Sequence, residues 1–156
     1  LRYFNVYSED QKAKTAYATA ISNWMAHIGE DKNPFLNGDG EQRRDMVHVS
    51  DVLSANIFAM NYEGVFRGSV YDVGTGNNIS LNEVIKIVHK YFPHVEFDQR
   101  PPRKGDVLLT RANITPLKSL GWEASTAIID GIDSCFKELQ QLKSGKGRSR
   151  LRNVAY

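Results

Sequence analysis

The chain places its hydrophobic residues at two alternating spacings, one typical of strands and one typical of helices. Residues 1–7 are rich in aromatic and β-branched side chains, and shorter runs of the same kind predict further strands at 46–49, 70–73 and 95–97. Apolar residues three and four positions apart predict helices at 17–28, 50–62, 81–92, 115–121 and 128–139. This alternation favours an α/β fold with short strands and about four to five helices.

Polar residues and a proline mark where several of these helices begin. Ser50 or Asp51 is suited to cap the second helix, since both side chains can accept from backbone N–H groups of a first turn. Ser80 and Glu83 have the spacing of a capping box at the start of the third helix. Thr115-Pro116 has the form of a cap followed by proline at the first helical position.

Residues 38–52 combine a glycine turn, an arginine pair, a short strand and the start of a helix. Gly38 and Gly40 permit backbone angles that other residues avoid, so the loop can turn sharply before it reaches Arg43 and Arg44. A guanidinium can bind phosphate oxygens through two parallel hydrogen bonds, which makes an arginine beside a rigid turn a candidate diphosphate ligand. The alternative is that both arginines form ordinary surface ion pairs, which contribute little to stability.

A second basic loop lies later in the chain. Pro101-Pro102 stiffens this loop, and Arg103 and Lys104 add positive charge to it. Asp106 could accept a hydrogen bond from a sugar hydroxyl, or it could neutralise Arg103 or Lys104. If the two basic loops converge, their arginines would form a site for a diphosphate.

The sequence contains no complete catalytic or cofactor-binding motif. Neither a Gly-x-Gly-x-x-Gly fingerprint nor a Walker loop occurs, and Gly74-Thr75-Gly76 alone more often simply ends a strand. The four histidines lack the spacing of metal ligands, and His48, within an apolar strand, is expected to be structural. No serine lies in a nucleophile elbow. The residues by themselves therefore indicate binding rather than catalysis.

The composition indicates where the protein is located and argues against membrane and nucleic-acid partners. At 156 residues, with 41% hydrophobic and 24% charged residues, the chain has the size of one globular domain. No apolar run is long enough to span a bilayer, and a single cysteine, Cys135, suits a reducing compartment, so we expect a cytoplasmic protein without a membrane partner. Five cations but no carboxylate lie at 143–156, and the rest of the chain is mildly acidic, which makes nucleic acid an unlikely partner.

Five short blocks carry a resemblance to a known family. They are residues 1–7, 38–52, 71–76, 100–107 and 120–122. In sequence, order and gaps these blocks resemble the carboxy-terminal half of the NAD-dependent epimerase/dehydratase family, the extended short-chain dehydrogenases that act on nucleotide sugars. Enzymes of the UDP-galactose 4-epimerase branch look most similar. The resemblance implies the C-terminal portion of an extended Rossmann-type epimerase over residues 1–142, and we expect a disordered basic tail at 143–156.

The resemblance also implies roles for five residues. Asn5 matches an asparagine that contacts the diphosphate of the nucleotide sugar. Arg44 and Arg103 match the two phosphate-binding arginines, and Asp106 matches the carboxylate that holds the nucleotide ribose. Leu36 matches a position against the base.

The family's catalytic groups are expected to lie outside this chain. The resemblance implies NAD as the cofactor of a parent enzyme, bound by an amino-terminal half, and no tyrosine here is followed four residues later by lysine, as the family's Tyr-x-x-x-Lys pair requires. We therefore predict no catalytic residue, and expect a UDP-sugar-binding portion of an epimerase or dehydratase that is inactive alone. The alternative is a stand-alone interaction module that self-associates through an exposed strand edge at residues 1–7.

Overall fold

The computed structural model describes residues 1–13 and 18–145, and over these ranges it confirms the predicted α/β class, with short strands and five helices. Strands and helices alternate along most of the chain. In chain order the elements are β1 (Arg2–Tyr3), β2 (Asn5–Tyr7), α1 (Ala20–Gly29), β3 (Phe35–Asn37), β4 (Arg43–Arg44), β5 (Met46–His48), α2 (Val49–Asn61), β6 (Asp72–Val73), β7 (Ile79–Ser80), α3 (Leu81–Tyr91), β8 (Asp98–Arg100), α4 (Thr115–Ser119) and α5 (Ile128–Lys143).

In the described part of the chain, four pairs of strands connect segments that are far apart in sequence. β1 pairs with β6 and β2 with β5, both in parallel. β4 runs antiparallel to β7, with Arg44 opposite Ile79. β3 pairs in parallel with β8, which places Asn37 opposite Arg100. The β3–β8 pair therefore sets the second basic loop beside the glycine turn, where Gly38 N donates to Arg100 O at 2.9 Å.

Two clusters of buried apolar side chains form the core. The larger joins one face each of α1, α3 and α5, and its side chains include Trp24 and Phe136, which are at most 2% exposed. The smaller packs α2 and α4 against β5 and β6 and includes Val47 and Leu117. Because side chains alternate across a strand, Met46 joins the first cluster and its neighbour Val47 the second, so that β5 links them.

The helix starts agree only in part with the sequence signals. The capping box is confirmed, since Ser80 Oγ accepts from Glu83 N at 3.1 Å and Glu83 Oε2 accepts from Ser80 N at 2.9 Å. The cap predicted for the second helix is wrong, because His48 occupies that position and its Nδ1 accepts from Ser50 N at 3.3 Å. Asp51 lies in the first turn and is buried, with its carboxylate bound elsewhere in the fold.

Three other predicted boundaries are corrected. Thr115 is the first residue of α4 rather than its cap. The strand predicted at 95–97 lies three residues later, as β8, because Val95 N closes a turn by donating to Phe92 O at 3.1 Å. The strand predicted at 70–73 is shorter and consists of β6 alone.

Two predictions fall on segments outside the described residues. They concern the start of the first helix around Tyr17 and all but the first three residues of the basic tail. The boundary predicted after residue 142 stays a prediction, and α5 runs through it to Lys143. Among the helices within residues 1–13 and 18–145, none combines the length and the apolar character needed to cross a membrane.

The buried carboxylate of Asp51 joins α2 to the segment that leads into α5. Its Oδ1 accepts from Ser125 N and from Ser125 Oγ, each at 2.9 Å, and its Oδ2 accepts from Thr126 N at 3.1 Å. Burial alone would raise the pKa of Asp51, but these hydrogen bonds outweigh it and hold the pKa below its ordinary value of 3.8. The ionised carboxylate therefore stabilises the folded chain.

We expect Asp51→Asn to lower the free energy of unfolding at neutral pH by about 1–3 kcal/mol, because an acceptor oxygen is replaced by a donor that faces N–H groups. A carboxylate with a lowered pKa stabilises the fold above its unfolded-state pKa, and this contribution is lost as pH falls through the folded-state value. The difference between parent and variant should therefore narrow below about pH 4. Denaturant titrations across this range measure it, with the exposed Asp10→Asn as the control. A difference that does not change with pH would contradict the prediction.

Candidate functional site

A cleft opens where the glycine turn, α1 and the second basic loop meet. Four of the five residues predicted from the sequence line it, namely Asn5, Arg44, Arg103 and Asp106. Its volume is about 180 Å³. The structure thus brings both basic loops to one cleft, as a diphosphate site would require.

The predicted glycine turn is confirmed and leads directly into β4. Gly38 and Gly40 have φ angles of 73° and 81°, in the left-handed region that favours glycine. A Cβ on Gly40 would lie 2.2 Å from Asn82 Oδ1, and Asn82 N donates to Gly40 O at 3.0 Å. The first turn of α3 therefore packs tightly on the glycine turn and fixes the position of the two arginines that follow.

The adjacent arginines of β4 have different partners, as expected for neighbours on a strand. Arg43 Nε donates to Asn78 Oδ1 at 2.6 Å, and its Nη2 forms an ion pair with Glu83 Oε2 at 2.9 Å. Arg44 Nη1 donates to Arg43 O at 2.9 Å, and its Nη2 forms an ion pair with Asp106. The Arg44 side chain is 16% exposed and lines the cleft. The alternative that both arginines form ordinary ion pairs therefore accounts for Arg43, whereas Arg44 forms an ion pair and also lines the cleft.

Arg103 and Asp106 come from the same loop but contact different groups. With its amide turned so that the oxygen faces the donors around it, the Asn37 side chain accepts from Arg103 Nε at 3.1 Å and from Arg103 Nη2 at 3.3 Å. Asp106 forms its ion pair with Arg44. The alternative predicted from the sequence, that it neutralises Arg103 or Lys104, is therefore wrong. Two guanidiniums and one carboxylate give the cleft a net positive charge, which favours an anionic ligand.

Asn5 and Leu36 contribute to the site in different ways. Asn5 Nδ2 donates to Asp45 O at 2.7 Å, which holds the carboxamide at the edge of the cleft. The Leu36 side chain is 6% exposed and belongs to the larger core cluster, whereas Phe35 and Asn37 on either side of it line the cleft. A contact between Leu36 and a base stays a prediction, and it would have to use the backbone.

Sequence reasoning missed several residues that shape the cleft. Gln42 is 8% exposed, and its Nε2 donates to Asn37 O at 2.7 Å. Trp24, expected as a core residue, also lines the cleft, and its Nε1 donates to Phe35 O at 2.9 Å. The Arg100 guanidinium lies 3.8 Å above the centre of the Phe35 ring. No sequence motif identifies these roles, because each depends on which partner the fold brings into contact.

Asp45 is a fully buried carboxylate next in sequence to the cleft arginine. Its Oδ1 accepts from Thr75 N and Thr75 Oγ1, each at 2.9 Å, and its Oδ2 accepts from Gly76 N at 2.9 Å and Ala112 N at 3.0 Å. The turn at 74–76 therefore binds a carboxylate of its own chain, as expected for a structural turn. Its amides do not fit the phosphates of a dinucleotide cofactor, since they already have an acceptor.

Known proteins of one family share the sequence and fold of this chain. Residues 1–74 match the model of the NAD dependent epimerase/dehydratase family. A candidate UDP-glucose 4-epimerase of Methanocaldococcus jannaschii is 35% identical over 133 residues, which are 85% of this chain and 42% of that protein. The structure of UDP-glucose 4-epimerase from Thermotoga maritima with UDP-glucose has a TM-score of 0.78 and 29% identity, and the match covers 91% of this chain and 45% of that one. MoeE5 in complex with UDP-glucuronic acid and NAD has a TM-score of 0.76 and 29% identity, over 92% of this chain and 46% of its own.

The chain spans less than half the length of each of these three relatives. Within that part, the matches confirm both the family resemblance and the Rossmann-type α/β class predicted from the sequence. NAD is bound in the MoeE5 complex, by a chain about twice as long. The part matched here is therefore compatible with an NAD site that lies elsewhere in such proteins.

We expect Asp45→Asn to lower the free energy of unfolding by about 2–3 kcal/mol, since it leaves a buried backbone or hydroxyl donor without an acceptor. Thermal or denaturant unfolding measures the loss. The matched control is Asp39→Asn, because Asp39 is exposed and its carboxylate accepts from Glu41 N, at 3.0 Å, within the glycine turn. The control should change stability by less than about 0.5 kcal/mol. Equal losses in the two variants would show that the buried hydrogen bonds of Asp45 are not the cause.

Proposed function

Because the chain belongs to the NAD-dependent epimerase/dehydratase family, we propose that its cleft binds the diphosphate and nucleoside of a nucleotide sugar, and of a UDP-sugar in particular. The solved relatives were crystallised with UDP-glucose or UDP-glucuronic acid, which supports a ligand of this class. In this proposal the chain is the substrate-binding portion of a longer nucleotide-sugar epimerase or dehydratase.

The observation that carries the proposal is the convergence of two fixed guanidiniums in one cleft. Arg44 is held by the carbonyl of Arg43 and Arg103 by the carboxamide of Asn37, so both side chains are oriented before a ligand arrives. Hydrogen bonds from guanidinium to phosphate are about twice as strong as neutral ones, and preorganised donors lose little entropy on binding. Asn5, at the edge of the same cleft, would give the diphosphate the N–H group that now makes a 3.5 Å contact with Thr110 Oγ1, and would keep its bond to Asp45 O.

The rest of the nucleotide would contact both sides of the cleft. Asp106 would accept from ribose hydroxyls, and the backbone of Leu36, with residues 18–20 of the opposite wall, would face the base. The cleft volume of about 180 Å³ is below the roughly 300–1,000 Å³ of a closed ligand pocket, so the chain would enclose only part of such a ligand.

Chemistry on the sugar would use groups that this chain does not supply. NAD, when bound, accepts and returns a hydride, and we propose that both NAD and the family's Tyr-x-x-x-Lys pair belong to another part of the longer protein. The cleft residues would bind and orient the nucleotide, which places the sugar ring without reacting with it. The chain alone would therefore bind a nucleotide sugar but not convert it.

The single cysteine supports a cytoplasmic location for this activity. Cys135 is fully buried in α5, and burial raises its pKa to about 12. Such a thiol packs rather than reacts, and cysteines that stay reduced are typical of the cytoplasm.

Titration with UDP-glucose tests the site. The parent chain should bind it, and Arg44→Met and Arg103→Met should each weaken binding about 10- to 100-fold, because a hydrogen bond to a charged group contributes roughly 1.5–3 kcal/mol. Arg67→Met removes an exposed arginine outside the cleft and should bind like the parent. A parent that does not bind millimolar UDP-glucose would overturn the proposal, and so would cleft variants that bind as tightly as the parent.

A second candidate function, self-association, rests on the strand edge at the start of the chain. Within the described residues, β1 and β2 each pair with one neighbouring strand. Arg2 N donates to Tyr71 O, just before β6, and Phe4 N donates to Val73 O in β6. Tyr3 N therefore points to the opposite side of β1, where none of the strands in the described residues pairs with β1. Tyr3 is 46% exposed and Leu1 41% exposed. Open strand edges recruit further strands, including those of a second copy.

Sedimentation of the full chain at micromolar concentrations tests this candidate. Self-association through the edge predicts dimers that are lost in Tyr3→Pro, since proline removes the outward N–H group while β1 keeps its bonds to β6. The control Tyr3→Phe keeps that N–H group and should still form dimers. A monomeric parent would rule the candidate out.

A further inference from the structure

The Arg44–Asp106 ion pair joins two residues that the proposed function assigns to different parts of the ligand. Arg44 Nη2 donates to Asp106 Oδ1, and the two side chains are 16% and 31% exposed. The proposed function gives Arg44 to the phosphates and Asp106 to the ribose. A phosphate that binds Arg44 through its Nη2–H group therefore competes with the Asp106 carboxylate.

The contacts around the pair show which partner is free to move. Arg44 is held by the carbonyl of Arg43 and lies on β4, which is bonded through Arg43 N to Leu108 O at 2.8 Å and paired with β7. Asp106 lies among exposed residues, and its backbone N–H bonds within its own loop, to Arg103 O at 3.1 Å. The preceding Gly105 has a φ of 78° and no atom within 4 Å of an added Cβ. Asp106 is therefore the more exposed and less constrained of the two partners.

The geometry points to a specificity role for Asp106 that rests on the proposed function. The Asp106 carboxylate accepts from the Arg44 guanidinium that the proposed function gives to a phosphate, and it therefore competes with the phosphate from within the protein. A ligand with phosphates alone that takes the Arg44 Nη2–H group leaves the carboxylate without a partner. A nucleotide displaces it too, but its ribose hydroxyls then donate to the released carboxylate. Asp106 thus selects ribonucleoside diphosphates against free phosphate and pyrophosphate.

Calorimetric titration of the full chain with pyrophosphate, UDP and 2′-deoxy-UDP tests this role. Asp106→Asn should bind pyrophosphate about three- to tenfold more tightly than the parent, because a partly exposed ion pair no longer has to be broken. The same variant should lose the parent's preference for UDP over 2′-deoxy-UDP, since an amide that does not compete for Arg44 is also a weaker acceptor for the ribose.

Two further variants separate the ion pair from a general effect of charge. Asp98→Asn removes the same charge from β8, where the carboxylate contacts Asn33 Nδ2 at 3.5 Å, and it should leave pyrophosphate affinity unchanged. In an Arg44→Met background, Asp106→Asn should no longer tighten pyrophosphate binding. If Asp106→Asn still tightens pyrophosphate binding in that background, the cause is charge repulsion between Asp106 and the ligand. Competition between Asp106 and phosphate for Arg44 would then be overturned.

The possible outcomes distinguish this inference from the proposed function. If the parent binds UDP through Arg44 but Asp106→Asn binds pyrophosphate no better, the nucleotide site stands and the competition is overturned. If Asp106→Asn gains pyrophosphate affinity while the parent binds no UDP, the competition stands and the nucleotide site is overturned. If neither protein binds either ligand, both are overturned.

Discussion

The buried carboxylate of Asp45 is the contact on which the geometry of the cleft most depends. A buried charge costs several kcal/mol unless it is fully hydrogen-bonded, and here donors from the turn at 75–76 and from Ala112 meet that demand. The backbone of Asp45 also accepts from the side chain of Asn5, and Arg44 precedes it in the strand. One residue therefore ties two cleft side chains to two distant segments of the chain.

The arginine pair of β4 shows how a strand assigns different tasks to adjacent residues. Arg43 is bound to Asn78 and Glu83 and holds the strand against the start of α3. Arg44 emerges on the cleft side, where the carbonyl of Arg43 orients it. Loss of Arg43 would therefore disturb the position of Arg44 as well as remove an ion pair, and that is why Arg67 is the better comparison for a binding measurement.

Local features of the chain could be predicted from its sequence, and tertiary ones could not. The glycine turn at 38–40 and the Ser80–Glu83 capping box depend on residues within a few positions of one another, and both are confirmed. The partner of Asp106 lies 62 positions away, so residue type alone suggested its loop neighbours instead. The cap of α2 was missed because histidine is an uncommon capping residue. The resemblance singled out Arg44 where charge alone left both arginines equivalent.

The pairing of β3 with β8 makes the cleft depend on contacts between residues that are far apart in sequence. This parallel pair closes a long loop, and the entropy lost on closure is recovered only once both strands and the helices around them have packed. A chain that has folded only its first half would present Arg44 without Arg103, and it would have one guanidinium for a ligand that needs two. A ligand that bridges the two loops binds only the complete fold, so it would stabilise the folded chain by mass action.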